Sequence, residues 1–504
     1  MPAMSIRTGK LLLAGLLSSI LVASFAHRTA QAKLTNSLPI RLHPKNPHYF
    51  EFRGKAIALI TSGEHYGAVL NADIDFHKYL ATIDADGLNY TRIFGGSYVE
   101  VPAKSFGILR NDLAPEPGRF IAPWVRSETP GYAGGGNKFD LTKWNPEYFD
   151  RYHAFLADAS KRGIVVEISL FSSHYDEMMW KISPFNPSNN VNNTDAIDWK
   201  ELHTLENGNI LGFQEKYARK LIEEARDFDN VIFEIQNEPW SDRPTLASVV
   251  NPYLRLPARD MYPNSIDIAD DLSIAWQSRV VEWSLSEVAP GSLRHMIAQN
   301  YSNFFTSVGK HRADIINFHY AYPEAVTLNY GLDKAIAYDE TGFLGRDDDA
   351  YRRQAWNFML AGGSIFDALD YSFSPGHEDG QDLEPNGPGG GSPAFRHQLR
   401  VLREFLDKFS ILDLRPDTTT VKHAAGVVAH TLSNPGREYA IYLDGKGPAE
   451  VTLALPSGNY KAEWFNTKTG AIDKAEEFNA SGDKILTSPA FDNGIAVRLT
   501  RAGK

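Results

Sequence analysis

Two short strings in this chain end an apolar run on a carboxylate. In VIFEIQNEPW (231–240) the run closes with Asn237-Glu238-Pro239, and in AIAYDETG (335–342) with Glu340-Thr341-Gly342. Two carboxyl groups about 5–5.5 Å apart can open a glycosidic bond with retention. One attacks the anomeric carbon, and the other protonates the leaving oxygen and later activates water. Alone, a Glu before Pro can equally mark a solvated strand end; the second carboxylate turns the first into half of a pair. Alternation puts Glu234, Gln236 and Glu238 on one face of the first run and Val231, Phe233 and Ile235 on the other. Glu234 then lies about 13 Å below Glu238, at roughly 3.3 Å per residue, and reads as a buried, hydrogen-bonded interior residue. Asp339 competes with Glu340 as nucleophile, but the same alternation turns it to the face opposite Tyr338.

The elements that must bring these groups together are eight strand-like runs alternating with room for helices. They fall at 56–63, 88–96, 164–171, 231–237, 295–300, 315–320, 335–340 and 364–373, the pattern of an α/β parallel (β/α)8 TIM barrel. Carboxyl ends of barrel strands carry catalytic groups, which is where Glu238 and Glu340 fall. Pro239 ends its ladder because it has no N–H. Asn145 as N-cap, Pro146 at the first helical position and Glu147 in the first turn predict a helix to about Lys161, stopped at Gly163. Further helices are expected over 214–227 and 395–409. Long Gly-, Pro- and aromatic-rich loops (95–137, 172–212, 239–270, 374–393) suit the catalytic rim of a barrel. Within the last, GPGGGSP (387–393) reads as a flexible lid or rim. Short alternating segments separated by Asn-Pro-Gly, Pro-Ser-Gly and Lys-Thr-Gly turns then predict a small antiparallel β-sandwich over 417–504, leaving 33–416 to the barrel.

With both motifs on those strands, the chain resembles a clan A glycoside hydrolase, family 5-like, over roughly residues 40–410. The resemblance implies Glu238 as acid/base, Glu340 as nucleophile and Asn237 as binder of the substrate 2-hydroxyl. It matches Arg92 in NYTRIFGG to the arginine near the nucleophile and His319 in INFHYAYP to the histidine of strand six. The family pattern His-x-Tyr is His-Tyr-Ala-Tyr here, so Tyr320 or Tyr322 contacts the nucleophile. The tryptophan usual at the end of strand eight is replaced by Tyr371 and Phe373. The implied substrate is a β-linked pyranoside or an α-L-arabinofuranoside. A catalytically silent glycan-binding protein and a transglycosylase are the alternatives carried by the same residues.

Other strings add substrate-binding candidates at the rim: Glu64 and His65 after strand one, His174 after strand three, and Trp240 directly after the first motif. Trp180 is a second possible sugar platform. No cofactor is called for, and no ligand cluster in the sequence demands a metal. His377-Glu378-Asp379-Gly380 lacks the second histidine of a zinc-protease helix, and GYAGGGNK (131–138) lacks the Gly-Lys-Ser/Thr ending of a phosphate loop. Net charge is −11; residues 1–32 carry Arg7, Lys10 and Arg28 and no acid, so the remainder carries −14. That balance argues against nucleic acid or an anionic membrane as partner; a carbohydrate substrate is what the resemblance implies. The basic start, the apolar run 11–26 and Ala30-Gln31-Ala32 read as a signal peptide cleaved after Ala32 or Ala26. With no cysteine in the chain, the expectation is a bacterial periplasmic or secreted protein held by its core rather than by disulfides.

Overall fold

The structure, a computed structural model, describes residues 38–248, 265–286, 294–309 and 311–502. The expected signal segment lies outside the described residues. Eight strands build a barrel: β1 Leu59–Gly63, β2 Tyr90–Phe94, β3 Val165–Ser172, β4 Val231–Asn237, β5 Met296–Asn303, β6 Ile315–His319, β7 Ala335–Glu340 and β8 Ile365–Leu369. Hydrogen bonding runs β1-β8-β7-β6-β5-β4-β3-β2, with parallel pairing throughout. Each of the eight expected runs overlaps one barrel strand, and β5 continues three residues past the expected end at 300. At the seam between β1 and β2 a side chain bridges the strands. Asn89 Oδ1 accepts from Ile60 N at 2.9 Å, and Asn89 Nδ2 donates to the Ala58 carbonyl at 2.8 Å.

Six longer helices accompany the strands: α1 Phe76–Ala85, α2 Pro146–Arg162, α3 Ile210–Glu224, α4 Asp271–Ser286, α5 Asp348–Leu360 and α6 Pro393–Leu406. Residues 304–314, between β5 and β6, hold no helix among the described ones. The α2 signals act as expected: Asn145 accepts from Glu147 N, Pro146 opens the helix, and Gly163 closes it at φ 75°, where a β-carbon would be strained. In contrast, α3 begins four residues before the expected start at 214. Its first turn is set by the preceding loop, where Asn209 bonds Asp195 N and the Asn193 carbonyl instead of capping the helix.

The barrel interior is layered. At the base, Leu59, Tyr90, Val165, Ile232, Ile315 and Ile365 meet Phe50 and Phe52 of a three-stranded antiparallel sheet (Arg41–His43, Asn46–Phe52, Lys55–Ile57), which plugs the floor. Burying one such side chain contributes about 1.5–3 kcal/mol. Above the plug lies a polar layer, Glu167, Glu234, Asn317, Asp339 and Asp367, all buried. Burial, with Glu234 and Asp339 nearby, pushes the Glu167 carboxyl up to about 8. Burial likewise carries Asp367 well above the carboxylate range. The layer therefore holds protons that surface carboxylates would have lost.

The C-terminal strands are β9 Arg415–Pro416, β10 Val421–Ala424, β11 Val427–Asn434, β12 Glu438–Gly445, β13 Glu450–Asn466, β14 Ile472–Thr487 and β15 Ile495–Arg501. The antiparallel domain expected here is a single sheet, β9-β11-β12-β15-β13-β10 with β14 on β13, curled into a half-barrel. The length of β13 explains this: it pairs with β14, β15 and β10 and is irregular between Leu455 and Gly458, so one strand serves both walls around Trp464, Tyr460 and Ile441. The half-barrel docks on α5 and α6. Trp356 stacks on Tyr442 at 5.4 Å, Phe405 meets Phe465 at 5.3 Å, and Arg353 holds Asp444 by two bonds of 2.7 and 3.0 Å.

Candidate active site

Arg92 is the hub. It leaves β2 pointing into the barrel, where it is fully buried, and donates to Glu340 Oε2 (3.1 Å), Asn237 Oδ1 (2.8 Å), Ser169 Oγ (3.2 Å) and Glu234. Its planar fork is what lets one side chain serve strands β3, β4 and β7 together. Glu234, the interior residue of the first motif, also accepts from Ser169, Asn300 and Asn317.

Glu238 follows β4 with φ 49°, a conformation uncommon outside glycine, while its carbonyl accepts from Ser173 Oγ at 2.6 Å. Simple alternation would separate Asn237 from Glu238; the left-handed turn brings both side chains to the same cluster. Glu238 Oε1 lies 2.9 Å from His319 Nδ1, and that nitrogen is also 3.4 Å from Glu340 Oε1. The His319 nitrogen and one oxygen from each glutamate lie within 4.8 Å of one another.

Four groups hold Glu340. Besides Arg92 and His319, Tyr66 donates to Oε2 at 3.2 Å and Tyr320 to Oε1 at 3.1 Å. Burial by itself would raise this carboxyl, but His319 and then Arg92 outweigh it and bring it down to about 2. Tyr320, with φ 52°, is the residue that contacts Glu340; Tyr322 stacks on Phe304 instead. Asp339 lies opposite Tyr338, as alternation expects; the departure is that Glu340 joins it inside the barrel. Pairing of β6 with β7 skips a residue, with Phe318 opposite Tyr338 and His319 opposite Glu340. Tyr338 therefore faces Phe358 and Phe366, Asp339 accepts from Asn317 at 2.8 Å inside the barrel, and Glu340 still reaches Arg92.

Burial lowers the His319 pKa, but Glu340 and Asp339 raise it more, well above the usual histidine value. Asn300 Nδ2 stands 2.8 Å from His319 Nε2 while Asn300 Oδ1 has no partner.

The remaining candidates divide. Trp240 sits edge-on to His319 at 5.5 Å. Tyr371 stacks on His65 at 6.3 Å, whereas Phe373 packs on Tyr79 and Arg396, away from Glu340. Glu64 accepts from Gly67 N and Ala68 N and so ties its own loop. His65 is paired with Glu100 at 3.5 Å; burial opposes its charge, but Glu100 prevails and lifts it to about 9. His174 is buried against Tyr98, Trp180 and His203. The 387–391 glycines form a packed rim: a β-carbon on Gly389 would fall 2.1 Å from the Gly342 carbonyl and 2.2 Å from the Tyr371 ring.

Sequence reasoning missed Tyr66 and Tyr175. Tyr175 accepts from Asn237 Nδ2 at 2.7 Å, and both tyrosines sit in left-handed turns just past strand ends, φ 77° and 61°. It also missed an aromatic arch. Phe106 touches Tyr175 (4.9 Å) and Phe343 (6.5 Å), and Phe343 touches Tyr320 (5.9 Å), edge to face in each case. Phe106 and Phe343 are 37% and 41% exposed, while Glu238 and Glu340 are 8% and 6% exposed.

This architecture has counterparts among solved structures. A family 5 glycoside hydrolase from Bacteroides vulgatus superposes with a TM-score of 0.61 at 12% identity, over 92% of this chain and 94% of that one. The fold is that of a family 5 glycoside hydrolase. A second structure, described as a glycoside hydrolase, matches with a TM-score of 0.57 at 11% identity, over 93% and 98% of the two chains. No family model matches the chain, and no curated protein matches it by sequence. With so little identity retained, the likeness to these hydrolases is one of backbone, and residue roles rest on the geometry above.

Proposed function

We propose that the protein is a retaining glycoside hydrolase acting on an oligo- or polysaccharide by double displacement. The observation that carries this reading is that Glu238 and Glu340 share His319, with one oxygen of each carboxylate within 4.8 Å of the other. So close an approach of two carboxylates fits the retaining arrangement, about 5–5.5 Å apart, better than one that must leave roughly 6.5–9.5 Å for an inverting water. Glu340, kept ionised by Arg92 and His319, attacks the anomeric carbon. Glu238 gives its proton to the leaving oxygen, then takes one from the water that releases the sugar. Asn237, fixed between Arg92 and Tyr175, is suited to bind a sugar hydroxyl beside the reacting carbon. Export by the N-terminal segment is part of this reading, since polymeric glycans lie outside the cell.

The test is a panel of aryl β-glycosides and α-L-arabinofuranosides with product configuration read by NMR. Retention is expected in the wild type. Glu340→Ala should fall to background, and Glu238→Ala should lose about 10²–10⁴-fold on poor leaving groups. Azide should rescue Glu238→Ala with retention and Glu340→Ala with inversion. Inversion by the wild type, or undiminished turnover in both variants, would refute the assignment. Glycan binding without turnover would favour a silent binding protein.

A further inference from the structure

Beyond the carboxylate pair, the loops behind it hold a second polar cluster that the proposed reaction does not use. His174, His203 and Asp242, all 2–3% exposed, each offer a ligand atom, and these atoms lie within 4.8 Å of one another. Neither ring nitrogen of His174 has a hydrogen-bond partner of good geometry, although the Ser172 backbone lies near enough to favour a proton on the ring. Buried polar atoms are ordinarily satisfied, so a ring with at least one nitrogen left over calls for a ligand. His203 Nδ1 stands 3.3 Å from Asp242 Oδ2, about the edge of a tetrahedron built on metal bonds of roughly 2.0–2.1 Å.

Asp242 is oriented for this use. Its Oδ1 accepts from His174 N (2.8 Å) and Tyr175 N (3.0 Å), leaving Oδ2 for one further bond. The neighbouring cation does not occupy the cluster: Arg243 is turned to Glu201 and Asp270, 2.7 Å from each. The Glu238–His319–Glu340 group differs on this point, because Arg92 already supplies positive charge there. Two imidazoles and a carboxylate in an aromatic shell suit a divalent transition metal better than the all-oxygen ions calcium or magnesium.

We propose that His174, His203 and Asp242 form a binding site for a divalent transition metal ion, Zn2+ being the best match, that ties the loops after β3 and β4 together. The ion braces the segment four residues beyond Glu238, with water completing its coordination. It takes no part in bond cleavage.

The full chain, stripped with chelator and dialysed against Zn2+, should retain one zinc per chain by elemental analysis. Co2+ in its place should give the visible bands of a four- or five-coordinate ion, a readout that needs no variant. His174→Gln and His203→Gln should lose the retained zinc. Asp242→Asn, which can still accept from the two backbone N–H groups, should keep the fold and lose the metal-dependent rise in Tm. Absence of retained zinc and of cobalt bands in the wild type would overturn the proposal, leaving the cluster to ordered water. So would zinc retention unchanged in the His174→Gln/His203→Gln double variant. Metal content is read whether or not any glycoside is cleaved, so failure here leaves the glycosidase reading standing.

Discussion

Tyr320 donates its hydroxyl to Glu340 Oε1 at 3.1 Å from a backbone held at φ 52°, its own N–H bonded to the Glu340 carbonyl at 2.9 Å. The contact is thus made twice, by side chain and by main chain, and the left-handed turn makes both possible. Removing the hydroxyl alone should leave the backbone bond in place. Tyr320→Phe is expected to lower kcat by about 10–100-fold, the worth of a hydrogen bond to a charged group. Tyr322→Phe, which keeps the ring stack on Phe304, should stay near wild type. Equal effects in the two variants would remove Tyr320 from its assigned position.

Arg92→Lys keeps the charge and discards the fork. A single ammonium cannot reach Glu340, Asn237, Ser169 and Glu234 at once, so the variant should lose about 1–3 kcal/mol. The sign with pH follows from Glu340, whose folded pKa of about 2 lies below its ordinary 4.5. Such a group stabilises the fold above its unfolded pKa, and that stability is lost as pH falls through the folded one. In Arg92→Lys the folded pKa should sit closer to 4.5, so the acid-induced loss should be smaller and complete at higher pH. Urea unfolding across the acid range, wild type against variant, reads it directly.

His65 works in the opposite direction. Its folded pKa is raised from 6.5 to about 9, chiefly by Glu100 against the pull of burial. Its contribution is complete below 6.5 and is lost as pH climbs to about 9, at roughly 1.4 kcal/mol per pH unit within that window. His65→Gln should flatten this part of the stability–pH curve while lowering stability at its neutral end. An unchanged alkaline slope would show that other groups set it.

The arch from Tyr175 through Phe106 and Phe343 to Tyr320 links the tyrosine bonded to Asn237 with the tyrosine bonded to Glu340. Phe343→Ala opens it without touching a carboxylate. The ratio of kcat/KM for a long oligosaccharide to that for an aryl monoglycoside should rise by about tenfold. An unchanged ratio would mean the arch does not select chain length.

Much of the barrel was legible because its strands are apolar, short and punctuated, and because α2 carries a complete set of caps. The four residues Arg92, Glu238, His319 and Glu340 were placed in strand order, and the fold brings them together. What alternation could not supply was the set of departures from it. Glu238, Tyr320, Tyr66 and Tyr175 all turn left-handed just past a strand, which no residue type among them advertises. The skipped pairing beside Asp339 depends on two strands at once, so β7 alone does not reveal it. The same limit hid the histidine–aspartate cluster: Asp242 is 39 residues from His203 and 68 from His174, a spacing with no local signature.

The docking of the C-terminal half-barrel on α5 bears on how this protein can be cut or recombined. That helix follows directly from the Glu340 strand, and it spends Trp356 and Arg353 on Tyr442 and Asp444. A product truncated before residue 415 would present a bare tryptophan, an unmatched arginine and the outer face of α6 to solvent. In a cell such a fragment is a client for chaperones and proteases rather than a smaller enzyme. Chimeras that exchange the tail as though it were a tethered accessory would meet the same fate unless the α5 surface travels with it.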